Sequence, residues 1–186
     1  MSAQPAYSLW LLPREDQQQA LAALVARLAT RFATRAFIPH VTVQGDLARR
    51  LGEVTAVAAG LAHAIPALRW RVRGIEQSAH YYRAFYLALD DDGSAFANLR
   101  ARAAEAFASE TGLSPFAHLS LAYGTLDSAA RDALVREFAA EIPPVLTLDR
   151  LAVALSGSSV GIASWRTLQC FPLAQPVPAN TLETSS

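Results

Sequence analysis

Apolar positions along the 186-residue chain switch between a two-residue and a three-to-four-residue period, and each switch marks an element. Tyr7 to Leu12 is a short continuous apolar run of strand length. From Asp16 to Phe32 the apolar residues Leu21, Leu24, Val25, Leu28 and Phe32 recur at helical spacing. Pro39 holds Ile38 extended, so the chain enters His40 to Val43 as a strand that ends near Gly45. A helix over about Leu47 to Leu61 follows, stopped by Pro66, and Leu68 to Gln77 alternates Trp70, Val72 and Gly74 with Arg69, Arg71 and Arg73. The order then recurs. Strand Phe85 to Leu89 leads through a turn at Asp91, Asp92 and Gly93 to a helix over Ser94 to about Glu110. Pro115 precedes strand His118 to Tyr123, and Ser128 caps a helix reaching about Ala140 that Pro143 and Pro144 end. Leu146 to Ser156 and Trp165 to Phe171 read as two last strands.

The recurrence has a fixed spacing: His118 lies 78 residues after His40, and Phe85 lies 78 residues after Tyr7. Two similar units bury similar faces against each other, so the pattern predicts an α+β fold, duplicated and bilobal. Two antiparallel sheets would face a central cleft, with helices on their outer faces. A third copy would begin at the last strand. Residues 1–173 are expected to form this single bilobal domain and residues 174–186, rich in Pro, Ser and Thr, a flexible tail.

Within the repeat sit two tetrads of one kind: His40, Val41, Thr42, Val43 and His118, Leu119, Ser120, Leu121. In a strand, alternation turns each His and its hydroxyl partner to one face and the aliphatic residues to the other. Two imidazoles brought together from the two halves can divide a hydrolysis, one taking a proton from water and the other protonating the leaving oxygen. The hydroxyls of Thr42 and Ser120 can hold the remaining phosphoryl oxygens. Composition narrows the partners. The 16 basic residues are all arginine, they balance 16 acidic ones, and the isoelectric point near 6.9 excludes the basic stripe of a protein that tracks long nucleic acids. Small or short phosphorylated ligands stay open. Arg71, Arg73 and Arg83 are rim cations or solvated strand residues, and His80, Tyr81 and Tyr82 form a connection that either stacks on a base or packs on the domain edge. Asp90, Asp91 and Asp92 read as a turn rather than a metal site, and Ser156 to Ser159 as a hairpin turn rather than a phosphate loop. His63 follows a helix and reads as exposed. A single Cys170 and no membrane-length apolar run predict a cytoplasmic location, and a monomer without cofactor or metal is expected.

The paired H-x-[ST]-x tetrads in a duplicated chain resemble the 2H phosphoesterase superfamily, and the likeness spans residues 7–173, including Phe37, Ile38 and Pro39 before the first motif and Trp165 in the last strand. Within it the chain is most similar to the small cyclic phosphodiesterases. That resemblance implies His40 and His118 as the catalytic pair, Thr42 and Ser120 as phosphate ligands, and Tyr123, in the Ala122, Tyr123, Gly124 continuation, as a substrate-binding residue beside Tyr82. It implies metal-independent opening of a nucleoside 2',3'-cyclic phosphate or of ADP-ribose 1'',2''-cyclic phosphate. A 2'-5' RNA ligase-like role on short RNA ends, or a non-catalytic sensor of cyclic phosphates, are the alternatives. Symmetric motifs do not tell the base from the acid, and strict alternation would turn Tyr123 away from His118.

Overall fold

The computed structural model describes residues 6–91, 94–109, 116–125 and 129–175. The turn at Asp92 and Gly93, Glu110, Pro115, the Ser128 cap and the tail from residue 176 onward lie outside the described residues. Seven strands, β1 (Tyr7–Pro13), β2 (Val41–Leu47), β3 (Leu68–Gln77), β4 (Phe85–Asp90), β5 (His118–Ala122), β6 (Val145–Leu155) and β7 (Arg166–Pro172), alternate with α1 (Glu15–Arg31), α2 (Leu51–His63), α3 (Ala95–Phe107) and α4 (Ala129–Phe138). The expected order holds. The main boundary difference is that β2 runs on to Leu47, so α2 starts four residues later than its apolar spacing suggests.

All strand pairs are antiparallel, and the two expected sheets prove continuous. The join is β6. Its first part, Val145 to Leu148, pairs with β3, while its second part pairs with β1 on one side and β7 on the other. One half is therefore β2-β1-β6-β7 and the other β5-β4-β3 on the near end of β6. The two outermost strands of the path, β2 and β5, return into contact, so the sheet is curled and its motif strands face each other. The last strand, β7, pairs with β6 on the side away from β1. β1 itself stands to β6 as β4 stands to β3, with Tyr7 opposite Leu155 and Phe85 opposite Gln77, so the place a third copy's first strand would take is already filled by β1.

The helices form because each carries one apolar stripe, and they bury it on the sheet face away from the cleft. Leu21, Leu24, Val25 and Leu28 of α1 and Phe96, Leu99, Ala103 and Phe107 of α3 join Val41, Val43, Leu119 and Leu121 in one core. Acidic Glu15 and Asp16 open α1 and Arg31 closes it, the signs that suit a helix dipole. Each of these helices lies against the motif strand of the other half, α1 on β5 and α3 on β2, which fastens the lobes together. Gln17 on α1 adds a clasp to β6, donating to the Val145 carbonyl at 2.7 Å and accepting from the Thr147 N–H at 2.8 Å.

Candidate active site

The first motif strand begins just after His40, and cross-strand pairing places Trp10 opposite Thr42. On the other side Tyr86 stands opposite Ser120 and Ala88 opposite His118. Across the motif strands the partners thus lie 76 residues apart while the motif strands keep 78. Tyr7 and Phe85 do keep their match at 78 on the other side, opposite Leu155 and Gln77, so the two halves differ by two residues only in how the motif strand is registered on its neighbour. Each motif strand also carries a β-bulge: Thr42 and Gln44 oppose the consecutive Trp10 and Leu9, as Ser120 and Ala122 oppose Tyr86 and Phe85. A bulge resets the alternation. Residues three apart then share a face, which is why Thr42 and Gly45 both line the cleft, and why Ser120 and Tyr123 do so too. The expectation that Tyr123 turns away is corrected by this extra residue.

His40, Thr42, His118, Ser120, Tyr82 and Tyr123 all border one cleft of about 540 Å³. Both imidazoles are held alike. His40 Nδ1–H donates to the Ile38 carbonyl at 2.6 Å, and His118 Nδ1 lies 3.3 Å from the Phe116 carbonyl, while neither Nε2 has a hydrogen-bond partner among the described residues. Burial pushes His40 down to about 4, against a smaller upward effect of the Ile38 bond and with a further downward effect from His118. His118 is likewise pushed down to about 4, first by burial and then by the positive charges of Arg83 and His80, against the Phe116 bond.

Their aromatic surroundings differ. His40 stacks face to face on Trp10, centroids 3.8 Å apart and planes at 13°, whereas His118 meets Tyr86 at 5.5 Å and 75° and Phe116 at 5.6 Å and 61°. Trp165 leans on Trp10, and its ring also stacks on Tyr82 at 6.0 Å. Tyr82 is therefore part of the cleft wall. Tyr123 is almost wholly buried, one ring face covered by Phe37 at 3.8 Å, and its phenol, bonded with Ser120, is pushed up by burial. Ser120 donates to the Tyr82 carbonyl at 2.8 Å, so an incoming phosphate oxygen competes with that carbonyl for its proton.

Charge is distributed unevenly around the rim. Arg83, held over the Phe116 and Tyr86 rings, and His80 border the His118 side. Arg71 and Arg73 are exposed on β3 and do not line the cleft, Arg73 standing near Glu76, which accepts the Tyr86 hydroxyl. The opposite end is lined by Ser8, Gly45, Asp46 and the Ser156 to Ser158 turn, so that turn is both a β6–β7 connection and a wall of the cleft. Those residues, with Trp10 and Trp165, were not legible as site residues from motif spacing. His63 is exposed on α2, away from the cleft. Among the described residues no three His, Cys, Asp or Glu side chains gather as metal ligands, and no helix is long and apolar enough to cross a membrane.

An α+β fold that brings two H-x-[ST]-x strands onto one cleft defines the class of two-histidine phosphoesterases. The model of the 2'-5' RNA ligase superfamily matches residues 13–158, and the chain belongs to that superfamily, the 2H phosphoesterases. Among curated proteins there is no match. Among solved structures, Escherichia coli LigT complexed with phosphate superposes with a TM-score of 0.61 at 14% identity, over 94% of this chain and 100% of that one. TT0787 of Thermus thermophilus gives 0.57 at 18% identity, over 91% and 98%. LigT complexed with 3'-AMP gives 0.59 at 14% identity, over 92% and 99%.

Proposed function

We propose that the protein hydrolyses a small cyclic phosphodiester, a nucleoside 2',3'-cyclic phosphate or ADP-ribose 1'',2''-cyclic phosphate, to a phosphomonoester without a metal ion. The observation that carries this reading is the matched pair of imidazoles, each tethered through Nδ1 to the carbonyl two residues before it and neither Nε2 partnered among the described residues, at one cleft that also holds Thr42 and Ser120. An in-line displacement at phosphorus has its attacking and leaving oxygens on opposite sides, which suits a base on one strand and an acid on the other. Both imidazoles, pushed down to about 4 by burial, are neutral at pH 7. A bound phosphodiester anion supplies the negative charge that lets one of them hold the proton required of an acid. That LigT has been crystallised with 3'-AMP supports a nucleotide in a fold of this kind.

The test is a panel of 2',3'-cyclic nucleotides and ADP-ribose cyclic phosphate in the presence of a chelator, with the product ester located by phosphorus NMR. His40→Ala and His118→Ala are each expected to lower kcat by roughly 10² to 10⁴, since each removes one proton-transfer group. Full activity in either variant sinks the mechanism, and loss of activity on chelation sinks its metal independence.

A second reading, action on an RNA terminus, is favoured by Trp165, which borders the cleft and also a neighbouring hollow of about 510 Å³ formed with Phe37, Ile38, Pro39 and α1. A longer strand would extend across that indole. Competition between an oligonucleotide and a mononucleotide at several salt concentrations separates the two: a multi-phosphate footprint gives a steep salt slope and a single phosphate a shallow one.

A further inference from the structure

The pseudo-symmetry of the cleft exposes a place where its two halves part company. Bulged strands β2 and β5 correspond residue for residue at a spacing of 78, so Gly45 is the counterpart of Tyr123 and Asp46 of Gly124. In the second half the Tyr123 ring fills the space beside Ser120. In the first half the equivalent space beside Thr42 is open: a Cβ built on Gly45 meets only Ser8 Oγ and Thr42 Cγ2, both at 3.9 Å. Position 46 and its counterpart 124 both take positive φ, +52° at Asp46 and +125° at Gly124. The second half uses the residue that tolerates this backbone freely, whereas the first keeps a side chain there.

That side chain is exposed at the end of the cleft and is held by the next turn. Asp46 Oδ1 accepts the Ser158 N–H at 2.7 Å and the Ser158 hydroxyl at 3.0 Å, while Oδ2 has no partner among the described residues. Nearby, Ser8 accepts a hydrogen bond from Ser156 at 2.7 Å, which leaves its own proton for a further acceptor. A carboxylate oxygen repels phosphate and attracts N–H or O–H donors. Anionic groups are better served at the other end, where Arg83 and His80 stand.

We propose that the hollow at Ser8, Gly45 and Asp46 is a specificity subsite that takes a neutral, hydrogen-bond-donating part of the substrate next to the phosphate held at Thr42, with Asp46 Oδ2 as its reader. The inference rests on the phosphoesterase reading of the same cleft. Its ligand chemistry is a donor edge, found either on an amino-bearing nucleobase or on a ribose hydroxyl.

Calorimetric titration with inert product-like ligands separates these sources and does not depend on turnover. The probes are inorganic phosphate, 3'-GMP, the 3'-phosphate of an unsubstituted purine riboside lacking the base donors, and 5'-deoxy-3'-GMP. Asp46→Asn keeps an oxygen for Ser158 and turns the other atom into a donor; Gly45→Ala adds a methyl group that the backbone accommodates. Each is expected to weaken 3'-GMP about tenfold or more, to leave inorganic phosphate within about twofold, and to leave the melting temperature unchanged. In the wild type the weaker of the two analogues names the donor that is read, base or 5'-hydroxyl. Equal loss of phosphate and 3'-GMP, or no loss of 3'-GMP in Asp46→Asn, overturns the subsite while leaving the phosphoesterase reading intact. Failure of the wild type to bind phosphate and 3'-GMP at all overturns both.

Discussion

Gln44 shows how a single residue can be placed by a bulge rather than by its chemistry. The extra residue in β2 turns Thr42 and Gly45 to the cleft and leaves both Val43 and Gln44 without solvent exposure. Neither the amide oxygen nor the amide nitrogen of Gln44 has a hydrogen-bond partner among the described residues. A buried, unpaired amide costs roughly 1–3 kcal/mol, whereas an apolar side chain of similar shape forfeits nothing there. The corresponding residue of β5 is Ala122, packed in the core. Gln44→Leu is therefore expected to stabilise the protein by about 1 kcal/mol, a rise of roughly 2–4 °C in a melting curve; a lower melting temperature contradicts the burial argument. At this scale His40, His118, Thr42 and Ser120 were legible because tetrads repeated at one spacing carry the signal. Trp10 was not, because a tryptophan in a buried strand looks the same in sequence whether it packs in the core or under an imidazole.

At the scale of elements, strands and helices could be placed from apolar period, whereas bulges and register could not. A bulge changes which residues share a face without changing composition, so alternation assigned Tyr123 to the wrong side and gave Gly45 no role. The two-residue difference between the β1–β2 and β4–β5 registers was equally silent, because β1 and β4 are continuous apolar runs with no alternation to fix a register. The turn between β6 and β7 shows what fixes such loops. Gly157 has φ +137°, and a Cβ there would sit 2.6 Å from Asp46 Oδ1 and 3.0 Å from the Ala6 side chain. Gly157→Ala is thus expected to cost about 1–3 kcal/mol through backbone strain and displacement of the Asp46 clamp. Chemical denaturation measures the cost, and nucleotide affinity should fall in the same variant because the carboxylate is pushed from its place. A stable Gly157→Ala with unchanged affinity would mean that the turn relaxes around a methyl group without moving Asp46.

For the whole molecule, curling one sheet through β6 brings two titrating side chains out of water at once, and that couples the cleft to stability. His40 and His118 titrate near 4 in the folded protein, against about 6.5 for an exposed imidazole, chiefly because burial disfavours the charged ring. Above pH 6.5 both rings are neutral folded or unfolded, and they add no pH dependence. As pH falls from 6.5 towards 4 the unfolded chain binds protons that the folded one does not, so stability declines over that window. Below about 4 the folded rings are protonated as well, and this contribution levels off. Carboxylates titrate on the same acid side, so the informative quantity is a difference. In melting curves taken between pH 7.5 and 4, the His40→Gln, His118→Gln double variant should lose less melting temperature than the wild type, because Gln carries no proton to exchange. Inorganic phosphate should flatten the wild-type curve in the same way, since an anion in the cleft raises the folded imidazole values back towards 6.5. Parallel curves for wild type and double variant would mean that the two rings are solvated in the folded protein rather than buried.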